Sequence, residues 1–459
     1  MRNTIPLLFT VLLIYACSPM DQHPSAVLYD VTIDKDSVSI DFGIDVTLHV
    51  AVIPKRSFDN LDIVWSTSDS SVIVVDQNGA LTTMGHGEAT VTVTVSSVEK
   101  TIKETCVIKV FPVVINIPDE AFRACCLHFA DTNKDNILTS EETCVVTFLS
   151  CKSSSWGTMS SLNGLQYFPA LQTLYCSDIH LTSLDVSRNP SLQVLHCSNN
   201  QLTSLDLSRN PVLQDLLCYN NLLTSIDLSI NKALQRIECN NNKLTSLSIG
   251  QNTVLQSLNC SDNLLISLDV SQSKELMQLG CSNNQLVALN ISHNEVLQEL
   301  SCDHNQLTSL DVNYNKSLQN LSCSVNQLGS LNVNGATELE KLNCNRNHLT
   351  TLDVNQNKKI QDLDCYNNRL TSLMVSGAIE MQSLNCGSNQ LTGLDVSKNT
   401  VLQTLYCGSN QLTSLDLSAN PALKTLYCYN NPNLTALWLK TGQDIANLTK
   451  DSQTIIGYK

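Results

Sequence analysis

The chain has 459 residues, a net charge of −15, and 42% apolar but only 5% aromatic residues. This length predicts two to four domains, with enough aliphatic side chains for a sizeable core. The acidity argues against nucleic acid or an anionic membrane surface as partner, because both recruit patches of Lys and Arg.

The first element is an apolar run, Ile5 to Tyr15, preceded by Arg2. It falls well short of the ~20 residues a membrane-spanning helix needs, but it suits the core of a signal peptide. It ends in Ile14-Tyr15-Ala16-Cys17, followed by polar Ser18-Pro19-Met20. A small residue directly before Cys resembles the lipobox of bacterial lipoproteins. That resemblance implies a signal peptide over 1–16, a lipid anchor at Cys17 and a lipidated linker over 17–26. No other segment reads as transmembrane, so membrane contact is expected only through the anchor.

Residues 27–112 alternate apolar and polar in short runs, as in Val46-Thr-Leu48-His-Val50 and Ala89-Thr-Val91-Thr-Val93-Thr-Val95, which predicts a β-sandwich. The stretches Trp65-Ser-Thr-Ser-Asp69, Val72 to Gly79 and Gly85 to Val91 resemble a group 2 bacterial Ig-like domain. Trp65 is then a core residue, and the single Cys106 excludes an internal disulfide.

Residues 115–152 read as a helix-loop-helix linker. Pro118, Asp119 and Glu120 start a helix whose apolar face carries Phe122 and Phe129. The loop Asp131-Thr-Asn133-Lys-Asp135-Asn136-Ile137-Leu138-Thr139-Ser-Glu-Glu142 resembles an EF-hand loop. The resemblance implies Ca2+ held by Asp131, Asn133, Asp135, Ile137, Thr139 and Glu142, with a structural role. Asn136 stands where Gly is usual, and Asn tolerates a left-handed turn. Cys144 and Cys151 can pair with Cys125 or Cys126, and the sequence leaves the connectivity open.

After a cap over 156–170, in which Leu162 to Phe168 read as an incomplete coil, the sequence repeats every 21 residues from Leu171. Each of thirteen units has a Cys at its sixth position, from Cys176 to Cys428, and twelve have an Asn three residues later, Ile179 being the exception. The pattern resembles the leucine-rich-repeat family, with Cys in place of the third Leu. Residues such as Leu195 and Cys197 alternate as in a short strand, so stacked units form one parallel sheet and one core. The cysteines are read as buried thiols acting as small hydrophobes rather than as disulfides or metal ligands. The Asn amides form a ladder between coils, marking where the chain turns. A second run, Leu205-Asp206-Leu207, is extended on the opposite side. In the middle of the array its Asp recurs only every second unit, Ser248, Asn290, Asn332 and Met374 intervening. Adjacent carboxylates repel by about 1 kcal/mol even in water, and this 42-residue period relieves that repulsion; duplication of a two-repeat block would leave the same trace. The solenoid covers 171–440, with a C-terminal cap over 441–459 and no cell-wall sorting signal before Lys459.

The expected fold class is mainly β: an Ig-like β-sandwich, a short helix-loop-helix linker, then a leucine-rich-repeat solenoid of thirteen 21-residue coils. Solenoids bind with the exposed side of the strand sheet. There the candidate binding residues are Tyr366, Tyr406, Tyr427 and Tyr429 near one end and Tyr175, His196 and Tyr219 near the other. Catalysis is not expected: no nucleophile elbow, H-E-x-x-H or phosphate loop is present. The pairing of leucine-rich repeats with an Ig-like module resembles internalin-type surface proteins, implying an adhesin-like protein binder. A glycan-binding lipoprotein is the alternative, weakened by the absence of Trp on the sheet. The whole assembly also resembles Bacteroidetes surface lipoproteins, implying a lipid-anchored place on the outer membrane, facing outwards.

Overall fold

The computed structural model describes residues 28, 30–53, 61–97, 100–151 and 153–459. The signal-peptide core, Cys17 and the lipidated linker lie outside the described residues. The chain divides into two compact units between Val113 and Val114.

In the first unit the strands Gly87–Ser96 and Thr101–Phe111 form a long hairpin. Asp62–Thr67 adds to it antiparallel and Ser37–Asp41 parallel. A three-stranded sheet (Val46–Thr47, Ala80–Thr83, Ile73–Val75) and a pair (Asp30–Ile33 with Val50–Ile53) complete it. The Thr-Val alternation puts Ala89, Val91, Val93 and Val95 inside while the threonines between them stay half-buried. Trp65 packs against both small cores, and Cys106 is buried and unpaired. The turn before Ala80 needs its glycine. Gly79 has φ +81°, and a Cβ there would sit 2.3 Å from the Leu48 carbonyl oxygen.

The second unit is the solenoid. Its main sheet has fifteen parallel strands. Thirteen come from the 21-residue coils in strict register, so that Leu195 faces Leu216 and Leu216 faces Ile237. One more is added at each end, Phe148–Ser150 and Asn447–Thr449, which extends the thirteen-coil expectation. Period-2 alternation fixes the inside: the fourth-position Leu (Ile237 in one coil) and sixth-position Cys of every coil are buried, and the thirteen cysteines are fully so.

Two asparagine ladders hold the coils together. In the first, Asn200 Nδ2 donates to the carbonyls of Cys176 (2.8 Å) and Cys197 (2.9 Å), while its Oδ1 accepts from Leu181 N. The same bonds recur through Asn431. The chain reverses one residue earlier than the Asn. The eighth position of all thirteen coils is left-handed, from Asp178 to Asn430, with Val325 at φ +52°. A β-branched residue there costs on the order of 1 kcal/mol or more, which the surrounding ladder bonds overcome. The second ladder, at the nineteenth position, was not read from the sequence. Asn210 Nδ2 donates to the Val186 and Asn189 carbonyls, and Asn420 repeats the pattern.

The second run is extended, as expected, and its pairing has the 42-residue period. Asp227 bridges Ser248, Asp269 bridges Asn290, and Asp311 bridges Asn332; Thr351–Asp353 pairs with Ser372–Met374. Each bridge joins an Asp coil to the following non-Asp coil. The carboxylates themselves close local turns: Asp206 Oδ1 accepts from Ser208 N at 2.9 Å, a bond that lowers its pKa.

The ends are built from non-repeating residues. The helices Glu120–Ala130 and Ser140–Cys144 contribute Phe122, Cys125, Cys126 and Thr143 to the buried interior of this unit. Cys151 continues the cysteine ladder: its N–H donates to the Tyr175 carbonyl, as each ladder cysteine does to the next coil. At the other end the Asp451 carboxylate accepts from Asn430 N and Asn431 N, which would otherwise be left open. Lys459 Nζ lies 4.8 Å from the Trp438 ring centroid and bonds Asp416, holding that carboxyl down at about 2.

Candidate binding face

The outer face of the main sheet presents the third, fifth, seventh and eighth residues of most coils, Ser198 and Ser324 at the seventh being buried. Near the C-terminal end, four of the residues expected there come together. Tyr366, Tyr406, Tyr427 and Tyr429 line one cavity of about 370 Å³. Tyr406 and Tyr427 occupy the same position in adjacent coils and stack at 5.1 Å with 26° between their planes. Tyr366 and Tyr429 share another position three coils apart, and the two coils between them carry Gly387 and Gly408 there. The sequence reading passed over these glycines, whose missing side chains open the cavity floor.

A second cavity of about 690 Å³ adjoins the first through Asn385 and Tyr406. It carries Glu299, Asp362 and Asp364 against Lys341. Asp364 is fixed by two bonds, from Asn345 Nδ2 (2.7 Å) and Tyr366 N (3.1 Å). Asp303 is bonded by Ser322 Oγ, Ser324 Oγ and Ser324 N, so it serves the sheet itself.

At the other end Tyr175 and His196 stack at 4.6 Å and 17°, and Phe148 meets Tyr175 edge-on at 5.5 Å. Phe129, Trp156 and His128 extend this row of rings. His196 Nε2 lies 3.3 Å from Asp215, which also faces Arg236, and Arg236 bonds Glu238. Asp215 and Arg236 were not singled out from the sequence. Tyr219 stands in the neighbouring row, half-buried, and is not part of the stack.

Residues 29–106 match the bacterial Ig-like domain (group 2) family, and residues 169–210 and 400–447 match leucine-rich repeats. The solved functional domain of InlJ from Listeria monocytogenes, described as including a cysteine ladder, is 31% identical with a TM-score of 0.58; the match covers 70% of this chain and 75% of that one. The solenoid carries leucine-rich repeats at both of its ends. A leucine-rich-repeat protein of Leptospira interrogans is similar at 28% identity and TM-score 0.50, over 54% of this chain and 69% of that one. An uncharacterized protein of Clostridium acetobutylicum is 29% identical over 119 residues, 24% of this chain; the match spans 28% of that relative's length.

In this leucine-rich-repeat array the ladder thiols are chemically quiet. Burial pushes Cys239 and Cys386 up to about 12 and Cys428 up to about 11, and raises the rest of the ladder too. A thiolate in this aliphatic interior has lost its hydration with nothing to replace it. Of the possible partners among the cap cysteines, the fold brings together Cys125 and Cys151, with sulfurs 3.9 Å apart, while Cys144 is exposed.

The loop 131–142 is shaped by its own hydrogen bonds. Asp131 accepts from Lys134 N and Asn136 N, Asn133 from Asp135 N, and Asp135 from Ile137 N. Lys134 and Asn136 are left-handed, at φ +62° and +61°. Leu138 O accepts from Ile115 N, so the loop pairs with the segment preceding the first helix. Thr139 caps the second helix, and Glu142 accepts from Thr139 N, Thr139 Oγ1 and Thr132 N. Among the described residues no three His, Cys, Asp or Glu side chains converge as a metal cluster. The donor types of Asp131, Asn133, Asp135, Thr139 and Glu142 still suit a hard cation.

Proposed function

We propose that this chain is a surface-displayed binding protein that recognises a protein partner through the outer face of the solenoid sheet. The observation that carries this reading is the pair of adjoining cavities on that face, edged by exposed tyrosines. Tyr concentrates at protein hot spots because it contributes large area with few rotamers to freeze. Leucine-rich repeats and Ig-like domains are binding modules, which accords with the lack of a convergent catalytic constellation in the sequence. Anchoring through a lipid on Cys17, outside the bacterial outer membrane, is part of the same proposal. Protease shaving of intact cells tests it: the solenoid should be lost from treated cells and kept on untreated ones, and its survival on treated cells would refute surface display.

The binding reading is tested by Asn320→Trp, which fills the larger cavity from a half-buried strand position on its lining. The full chain and this variant are used to capture surface proteins of candidate host or bacterial cells, in parallel with a glycan array. Capture by the native chain and its loss in a normally folded variant is expected. Equal capture by both removes the face as the site. Binding only on the glycan array favours the second reading, a glycan-capturing lipoprotein, for which the stacked Tyr406 and Tyr427 would be the platform.

A further inference from the structure

The tyrosine cavity is built from residues that most other coils lack at the same positions. Serine or asparagine fills the seventh position in most coils, yet here two successive coils have glycine between two tyrosines. A Cβ on Gly387 would lie 3.2 Å from the Gly408 carbonyl oxygen and 3.5 Å from the Tyr366 ring, and one on Gly408 would lie 2.9 Å from the Tyr429 carbonyl oxygen and 3.4 Å from its ring. The two outer rings therefore lean inward over bare backbone. Tyr366, Tyr406 and Tyr429 are exposed large side chains, which adds nothing to the core. What results is an open box with aromatic walls, joined to a trough where three carboxylates meet one ammonium group.

Ring faces carry negative electrostatic potential and attract cations, a planar guanidinium best because it can also stack. The adjoining carboxylates have the same preference. A neutral ligand covering Asp362 and Asp364 would strip their water and offer no charge in return. Chain geometry sets the length of the occupant. From the strand Glu299–Ser301 to the strand Thr425–Tyr427 there are six steps across the sheet. At ~4.8 Å per step this spans ~29 Å, the length of about nine extended residues.

We propose that the cavity between Tyr366 and Tyr429 is the anchoring subsite for an arginine or lysine side chain of the partner, the rest of an extended basic segment lying along the acidic trough. This rests on the reading of the outer face as a protein-binding surface. Asp364, held beside Tyr366 by its bond from Tyr366 N, meets the first residue outside the box.

The experiment uses the full chain to select from a display library of random ten-residue peptides. Selected peptides are then remade with citrulline, which keeps the shape of arginine and removes its charge. Enrichment in Arg or Lys is expected, with at least a tenfold loss of affinity on citrulline replacement at one position. The paired change Tyr406→Leu and Tyr427→Leu, which keeps bulk and removes the ring faces, should cause a similar loss with unchanged circular dichroism and melting. Enrichment of uncharged sequences, or full affinity for the citrulline peptide, overturns the proposal. So does full affinity in the leucine pair, and if Asn320→Trp then still abolishes binding, the face remains a protein-binding surface and only the anchoring box falls. If nothing in the library is retained by the outer face, both readings fall together.

Discussion

Raising the pH from 8 to 10 should destabilise the solenoid far more than an ordinary domain. A cysteine thiol ionises near its ordinary value of 9.0 in the unfolded chain. In the fold the ladder thiols stay protonated, because burial raises them all. The folded state therefore binds more protons above pH 9, and stability falls as pH rises. Below the unfolded value this contribution is intact; the loss runs through the window from about 9 to the raised folded values, which for Cys428 begin at about 11. At pH 10 each thiol favours unfolding by ~1.4 kcal/mol, so thirteen together amount to ~18 kcal/mol. A unit covering residues 114–459 has a total stability of roughly 17–50 kcal/mol at the usual ~0.05–0.15 kcal/mol per residue. The titration is thus large enough to unfold it or nearly so. Urea unfolding followed by circular dichroism at pH 8 and pH 10 measures the effect. A variant with Cys281→Val, Cys302→Val and Cys323→Val should lose ~4 kcal/mol less over the same interval. Equal losses in the two proteins, or none in either, would refute the reasoning.

Three further outcomes follow from single contacts. Asn305→Ala removes bonds to the Cys281 and Cys302 carbonyls and to Leu286 N, and should cost about 1–3 kcal/mol, read as a lower urea midpoint; Asn305→Asp, which cannot donate, should be no better. When the chain is refolded from urea in oxidised glutathione, Cys125 and Cys151 should form a disulfide that peptide mapping detects, closing a 26-residue loop and stabilising the cap by roughly 3 kcal/mol; a map showing Cys126 or Cys144 linked instead would discard the pair. We propose that the loop 131–142 takes one calcium ion. Isothermal titration of the full chain should show one site that Asp131→Asn with Glu142→Gln removes, and a flat titration of the native chain disposes of the site.

Much of this architecture was legible because stacking requires each coil to repeat its chemistry. The 21-residue spacing of Cys and Asn specified the parallel register, the dry thiol column and the amide ladder, and binary alternation specified the outer rows. The reading failed where periodicity breaks. Cys151 lies 25 residues before Cys176 rather than 21, so its place in the ladder was hidden, and it read only as a disulfide candidate. The last strand is offset by 22 residues, Leu426 facing Leu448, for the same reason. The nineteenth-position Asn ladder was visible as a recurring residue, but Ser273, Ala336 and Ala378 interrupt it, and its bonds run to the same turn of the preceding coil, which only the stacked fold brings close. Placing Tyr366, Tyr406, Tyr427 and Tyr429 on one face needed only the repeat; seeing that they enclose a cavity needed the glycines, which carry meaning by what they lack. Tyr219 shows the converse. It has the right position for the sheet, but no aromatic neighbour stands in register with it.

Native thiol mapping tests the central claim most directly. The reduced, folded chain is treated briefly with iodoacetamide at pH 8, quenched, and digested for mass spectrometry. Among residues 28–459, Cys144 is the exposed cysteine and should be the one labelled, the ladder from Cys151 to Cys428 reacting only after urea. Labelling of mid-ladder cysteines such as Cys239 or Cys302 at the rate of Cys144 would contradict the register, and the binding face defined by that register would no longer stand.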